Sequence, residues 1–195
     1  MKEEITRHSV KLFQQKGFSE TSIQDIVDSL GVTKGTFYYY FKSKEQLLMD
    51  IHSRYIDDLL NRQQMIIEDE QDCRSKIVKV IELIICDIKT QRPNGRVYFR
   101  EMRNLATENA DVIKEKRAKF RSNIEQIIIE GMESGEFRNS LQPKMITFAI
   151  LGVTNWSYEW MNPSGDVSVE ELAEMFSDFV LHGIHVEGGM IVEKT

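Results

Sequence analysis

Residues 21–47 read TSIQDIVDSLGVTKGTFYYYFKSKEQL, and their spacing predicts two short helices joined by a tight turn, with a third capped directly behind. A side-chain oxygen at Thr21 or Ser22 can accept from the free N–H groups of a first helical turn, and Thr21 with Gln24 has the spacing of a capping box. Ile23, Ile26, Val27 and Leu30 then recur at helical spacing and give one apolar face. Gly31 ends the run, because glycine takes the left-handed conformation that closes a helix, and Val32 can fold back onto the core just formed. Thr33 caps a second helix in which Phe37 and Phe41 share a face, leaving Lys34, Gly35, Thr36, Tyr38 and Tyr39 on the other. Ser43 and Gln46 form a further capping box. Lys44 lies in that helix's first turn, where an ammonium and free backbone N–H groups can meet one phosphate.

A helix anchored by two aromatics and showing small or hydroxyl-bearing groups outward suits a DNA major groove, with close backbone approach at Gly35. Helix–glycine–helix alone would serve an ordinary helical hairpin equally well. The longer pattern narrows the reading. The stretch resembles the TetR family of transcriptional regulators, whose pattern GF-x-x-T-T-x-x-D-I-A-x-x-x-G-V-S-x-G-T-x-Y-x-Y-F-x-S-K-E-x-L is met by Gly17, Phe18, Thr21, Ser22, Asp25, Ile26, Gly31, Val32, Thr33, Gly35, Thr36, Tyr38, Tyr40, Phe41, Ser43, Lys44, Glu45 and Leu47. Ser22 stands for the usual Thr, Val27 for the Ala and Thr33 for the Ser. The resemblance makes double-stranded DNA with a palindromic operator the expected partner. Expected contacts are Ser22, Thr33, Lys34, Gly35, Thr36, Tyr38, Tyr39, Tyr40 and Lys44. First-turn residues of the second motif helix and Tyr39 would read bases, whereas Ser22, Tyr38, Tyr40 and Lys44 would touch the phosphate backbone.

A net charge of −6 over 195 residues is unusual for a DNA binder, so its distribution matters. Residues 1–50 hold seven Lys/Arg against seven Asp/Glu, and the remainder holds 18 against 24. The acid therefore sits beyond the motif, and a neutral head must rely on placed groups rather than on bulk attraction to phosphate.

Beyond the motif, only three prolines, at positions 93, 143 and 163, interrupt long periodic stretches, which favours an all-helical chain. The spacing predicts helices over about 44–67, 73–90, 96–107, 111–135, 143–160 and 168–185. The expected fold class is all-α: a three-helix helix-turn-helix head at 1–46, an effector-binding and dimerising bundle at 47–187 and a loose tail at 188–195, about nine helices in all. In the 96–107 helix, Tyr98, Met102 and Leu105 would form one stripe and Arg96, Arg100 and Arg103 the other. Residues 89–121 carry ten Lys/Arg against four Asp/Glu, a local excess that reads either as a solvated face or as an anion site.

In TetR proteins the body encloses an effector pocket, and the resemblance makes Tyr98, Phe99, Met102, Phe120, Phe148, Trp156 and Trp160 candidate lining, with Arg96, Arg100 and Arg103 as candidate phosphate partners. Side chains at such spacing also build ordinary cores. Residues 131–184, with Gly152, Trp156, Trp160, Asn162, Pro163 and Gly165, resemble the C-terminal part of TetR regulators that sense acyl-CoA thioesters. The resemblance thus implies a fatty acyl-CoA effector, control of acyl-CoA degradation genes, and a homodimer formed through the last two helices. A repressor of an efflux system answering a drug or another metabolite stays open, and carboxylates in the pocket would favour it.

An enzyme of helical fold finds little support, since no phosphate-binding glycine loop, HExxH or GxSxG occurs. Cys73 and Cys86 lack a CxxC partner, and His182 and His185 read as helix-end partners or interface residues rather than metal ligands. No cofactor, metal or catalytic residue is expected. With no run of roughly 20 apolar residues and no leader-like start, the chain reads as cytoplasmic with no membrane partner.

Overall fold

The computed structural model of the protein describes residues 1–185, so the expected tail at 188–195 lies outside the described residues. Among the described residues there are nine α-helices: α1 (Lys2–Lys16), α2 (Ile23–Asp28), α3 (Lys34–Tyr40), α4 (Lys44–Asp69), α5 (Cys73–Thr90), α6 (Arg92–Arg100), α7 (Thr107–Glu133), α8 (Pro143–Trp160) and α9 (Val169–Ile184). A 3-10 turn at Met102–Asn104 lies between α6 and α7. The one extended pairing among them is an isolated bridge between Phe137 and His185.

The helix ends follow local chemistry. Ser22, not Thr21, caps α2: its Oγ accepts from Asp25 N–H at 3.0 Å while Ser22 N–H donates to Asp25 Oδ2 at 2.7 Å. Thr21 is instead fully buried, its hydroxyl donating 2.7 Å to the Gly17 carbonyl. Gly31 turns the chain at φ +66°, and Thr33 caps α3 by accepting from Thr36 N–H at 3.3 Å. Gln46 N–H donates to Ser43 Oγ at 3.0 Å, but the Gln46 side chain reaches Lys42 N–H rather than that of Ser43. Pro143 opens α8 in its first turn, where its missing N–H costs no helix bond. Ser168 and Glu171 close a complete capping box on α9.

One expected helix is corrected. Pro93 does not end a break but opens α6, which runs Arg92–Arg100 and stops at Glu101. Arg103 and Met102 therefore lie in the 3-10 turn, and the expected stripes over 96–107 do not continue along one helix. Proline in a first turn is preorganised for helix, so the feature read as a breaker is a start signal.

The chain forms two compact units, Met1–Leu60 with Thr90–Ala118, and Asn61–Lys89 with the chain from Lys119 on. This division cuts the chain elsewhere than at 46/47. In the first unit α2 packs on α1 and α3, and α6 packs on α1. Ile5, Phe13, Ile26, Val27, Phe37, Phe41, Leu47, Leu48, Ile51 and Val97 are buried there. Lys2 and Arg54 both pair with Asp50, at 2.9 and 2.8 Å, and Arg54 also pairs with Glu3, which ties α1 to α4.

In the second unit α8 packs on α9, and Ile77, Ile81, Ile85, Ile88, Ile124, Ile128, Ile150, Tyr158, Leu172 and Ile184 are buried. Asp87 is buried with a bidentate Arg62 at 2.7 and 3.0 Å. Glu136 caps α5 from a distance in sequence, accepting from the N–H groups of Cys73 and Arg74 at 3.2 and 3.0 Å.

Candidate nucleic-acid interface and effector region

The α3 helix is held from beneath. Phe37 is fully buried, Phe41 nearly so, and their ring centroids lie 5.7 Å apart. Burying one such side chain stabilises the fold by about 1.5–3 kcal/mol, enough to hold a two-turn helix that would not persist alone. Tyr39, at 81% exposed, and Tyr38, at 53%, then point away from the core, while Tyr40 is half-buried with its ring edge-on to Tyr39 at 4.8 Å. Thr33, Lys34 and Gly35 are exposed and Thr36 half-buried, so the expected base readers, Tyr39 included, share one open face of α3. A Cβ at Gly35 would meet nothing nearer than Thr33 Oγ1 at 3.5 Å, so the backbone is bare from outside. Such a helix N-terminus offers unpaired N–H groups and hydroxyls to a groove.

Ser22 and Lys44 stand differently from the sequence expectation. The Ser22 hydroxyl both accepts from Asp25 N–H and donates to Asp25 Oδ2 at 2.7 Å, which uses its only proton. The Lys44 ammonium donates to the carbonyls of Phe18 and Thr21, both at 2.6 Å, and lies 4.3 Å from the centre of the Phe18 ring. Burial lowers its pKa, against the opposing fields of Glu20, Asp25 and Glu101. The Ser22 hydrogen bonds, with Lys16 at 3.1 Å, hold the Asp25 carboxyl down at about 2, so the α2 cap stays charged.

Sequence reasoning placed Glu45 in the motif but missed its role. Its carboxylate accepts from Ala106 N–H at 3.2 Å and from Asn109 Nδ2 at 2.6 Å, capping α7 from the first turn of α4. No local pattern could show this, since the partners lie more than 60 residues apart.

The expected effector residues fall into separate places. Tyr98 is 2% exposed, its ring centroid 5.3 Å from that of His52, 4.8 Å from Tyr55 and 5.4 Å from Phe99, with the Arg117 guanidinium 5.7 Å from its centre. Its hydroxyl has no hydrogen-bond partner among the described residues, and burial pushes its pKa well above the usual phenol value. His52 is fully buried, and its Nδ1 lies 2.9 Å from the Leu48 carbonyl, which can only accept, so Nδ1 carries the proton. Nε2 closes no hydrogen bond among the described residues, and burial lowers the ring's pKa although hydrogen bonding to the Leu48 and Tyr98 backbone opposes the shift. His52 was legible only as a histidine within the apolar stripe of α4.

Arg96 and Arg100 do come together, in a cleft of about 180 Å³ between α1 and α6 that Gln14, Gln15, Gly17 and Glu101 also line. Arg103 and Met102 do not line it. Phe120 is a buried core residue of α7. Phe148, Trp156 and Trp160 are 45, 66 and 51% exposed and lie along one outer face of α8 with Met145. Met175 and Phe179 form a matching exposed stripe on α9. No group of His, Cys, Asp or Glu among the described residues could hold a metal ion, and Cys73 and Cys86 form no disulfide.

Residues 5–51 match the family model of bacterial regulatory proteins of the tetR family, and residues 70–184 match that of tetracyclin repressor-like C-terminal domains. The chain belongs to the TetR family. As a TetR-family protein it is a DNA-binding transcriptional regulator with an all-helical fold, not an enzyme. It is 26% identical over 183 residues to the transcriptional repressor KstR2 of Rhodococcus jostii, covering 93% of this chain and 89% of that protein. It is also 22% identical over 183 residues to the fatty acid metabolism regulator protein of Bacillus subtilis, covering 93 and 94%. The structure of ketosteroid transcriptional regulator KstR2 of Mycobacterium tuberculosis superposes with a TM-score of 0.89 over 95% of each chain at 22% identity. That of AibR in complex with isovaleryl coenzyme A and operator DNA superposes with a TM-score of 0.84 at 21% identity, over 91% of this chain and 96% of AibR. No helix among the described residues of this TetR protein is long and apolar enough to cross a membrane.

Proposed function

We propose that this TetR-family regulator is a homodimeric repressor that holds a palindromic operator and is released from it by a fatty acyl-CoA, so controlling acyl-CoA degradation genes. The observation that carries the DNA half is the exposed face of α3, with Tyr39 81% exposed on the side opposite a buried Phe37. In this reading Thr33, Lys34, Gly35, Thr36 and Tyr39 read bases, and Tyr38 and Tyr40 touch the backbone. Ser22 and Lys44 act by shaping the head, because their polar atoms are already engaged.

The acyl-CoA half is supported by the resemblance of residues 131–184 to acyl-CoA-sensing regulators, by the isovaleryl coenzyme A bound to AibR and by the name of the B. subtilis relative. A thioester needs an apolar site for its chain and cations for its phosphates. The Tyr98 cluster supplies the first kind of residue, and Arg96 and Arg100 the second. The exposed apolar faces of α8 and α9 support a second copy of this chain as their partner, since two-fold pairing would remove Trp156, Trp160 and Phe179 from water. Phe148, Trp156 and Trp160 then serve the dimer rather than the effector.

The test is fluorescence anisotropy of the protein on duplexes selected from a random pool, titrated with free CoA, short-, medium- and long-chain acyl-CoA and free fatty acid. Release by one acyl-CoA class at micromolar levels, with free CoA and fatty acid inert, is the expected result. Tight binding untouched by every ester, but released by a cationic drug, would replace the effector with that of an efflux regulator.

A further inference from the structure

We infer that the Tyr98 hydroxyl is the hydrogen-bond donor that receives the carbonyl oxygen of the effector's acyl group, an inference that rests on the acyl-CoA reading above. Tyr98 is 2% exposed, and its oxygen has no hydrogen-bond partner among the described residues. A buried hydroxyl left unsatisfied costs about 1–3 kcal/mol, and phenylalanine would fill the same space without that cost. The hydroxyl's partner therefore lies outside the described residues, and a solvent molecule or a ligand supplies it in this reading.

The surroundings favour a neutral acceptor on a ligand. The rings of His52, Tyr55 and Phe99 lie 4.8–5.4 Å from that of Tyr98, so an ionised oxygen would enter against a desolvation cost that the Arg117 guanidinium, 5.7 Å from the ring centre, offsets only in part. His52 cannot act as a rival donor, because its proton is spent on the Leu48 carbonyl and its free Nε2 is an acceptor. Burial also keeps the phenol protonated throughout the physiological range, so it stays a donor. A thioester carbonyl is a neutral acceptor attached to an apolar chain, which is the combination an aromatic cage with one buried donor selects. The carbonyl is also the atom that separates an acyl-CoA from free CoA.

The experiment compares octanoyl-CoA with S-octyl-CoA, the thioether that lacks the carbonyl, by calorimetric titration of the full chain and of Tyr98→Phe. Wild type should bind the ester about 3- to 10-fold more tightly than the thioether, the worth of one neutral hydrogen bond. Tyr98→Phe should bind both at the thioether's affinity. Its thermal midpoint without ligand should be no lower than that of wild type, because the lost hydroxyl had no partner. A Tyr98→Phe protein that keeps the ester preference overturns the inference, as does one that loses stability and leaves binding unchanged, which is the outcome for a hydroxyl bonded to buried water. If wild type binds ester and thioether equally, the carbonyl contact is refuted while the acyl-CoA reading stands. Butyryl-, octanoyl- and palmitoyl-CoA all failing to bind wild type would refute that reading and this inference together.

Discussion

The Lys44 ammonium lies 2.6 Å from the Thr21 carbonyl and at the same distance from that of Phe18, so a residue in the first turn of α4 closes the loop between α1 and α2. Three features of the motif converge there. Thr21 is pinned to Gly17, Ser22 caps α2, and the Phe18 ring covers the ammonium. The loop sets the angle at which α2 leaves α1, and α2 in turn carries α3. Replacing Lys44 with methionine keeps the apolar stem but removes the donor from both carbonyls. The expected loss is roughly 1–3 kcal/mol, read from urea unfolding, since hydrogen bonds to a charged group fall in that range. The slope of log affinity against log salt should stay unchanged on selected DNA. A slope smaller by about one would return Lys44 to phosphate contact.

Gly131 and Phe137 form a second dependence. A Cβ at Gly131 would stand 2.1 Å from Phe137 Cδ2, and the Phe137 ring is 1% exposed, so it has no free side to move to. Alanine in a helix interior is otherwise favoured over glycine by about 1 kcal/mol. Gly131→Ala should nevertheless destabilise by about 1–3 kcal/mol, the cost of overpacking. Adding Phe137→Leu should recover part of the loss, which a double-mutant cycle would measure.

Acidification should act through His52. Its pKa is lowered in the folded protein by burial, so the unfolded chain takes up the proton first as pH falls. Stability contributed by the neutral ring is complete above the unfolded pKa of about 6.5. It declines as pH drops below that value toward the folded pKa. Urea midpoints from pH 8 to 5 should fall faster for wild type than for His52→Phe, and parallel curves would exclude this ring as the cause.

The outer faces of α8 and α9 predict an association phenotype. Trp156 is 66% and Phe179 68% exposed, and on a lone protomer exposed positions tolerate polar substitution within about 0.5 kcal/mol. Trp156→Lys with Phe179→Lys should therefore leave the folded protomer intact by circular dichroism while sedimentation shifts from dimer to monomer. A variant that stays dimeric would place the partner surface elsewhere. Operator affinity should fall with the dimer, because two linked heads gain from effective concentration that one head lacks.

The head was legible in the sequence because its signals are local. Thr33 before a helix start, Gly31 at a stop, and Phe37 with Phe41 on one face are read from neighbours within a few residues, and backbone sterics and helical period leave few alternatives. The all-helical class and the Ser168–Glu171 start of α9 follow from the same short-range rules. Roles that depend on distant partners were decided only by the tertiary structure. Lys44 has the sequence of a phosphate contact, yet packing brings loop carbonyls from more than 20 residues away onto its ammonium. Tyr98 and Trp156 are both aromatics at helical spacing, and periodicity cannot tell them apart. The fold buries one among His52 and Tyr55 and leaves the other on an open face, because burial is set by which helices meet, and that is a property of the whole chain.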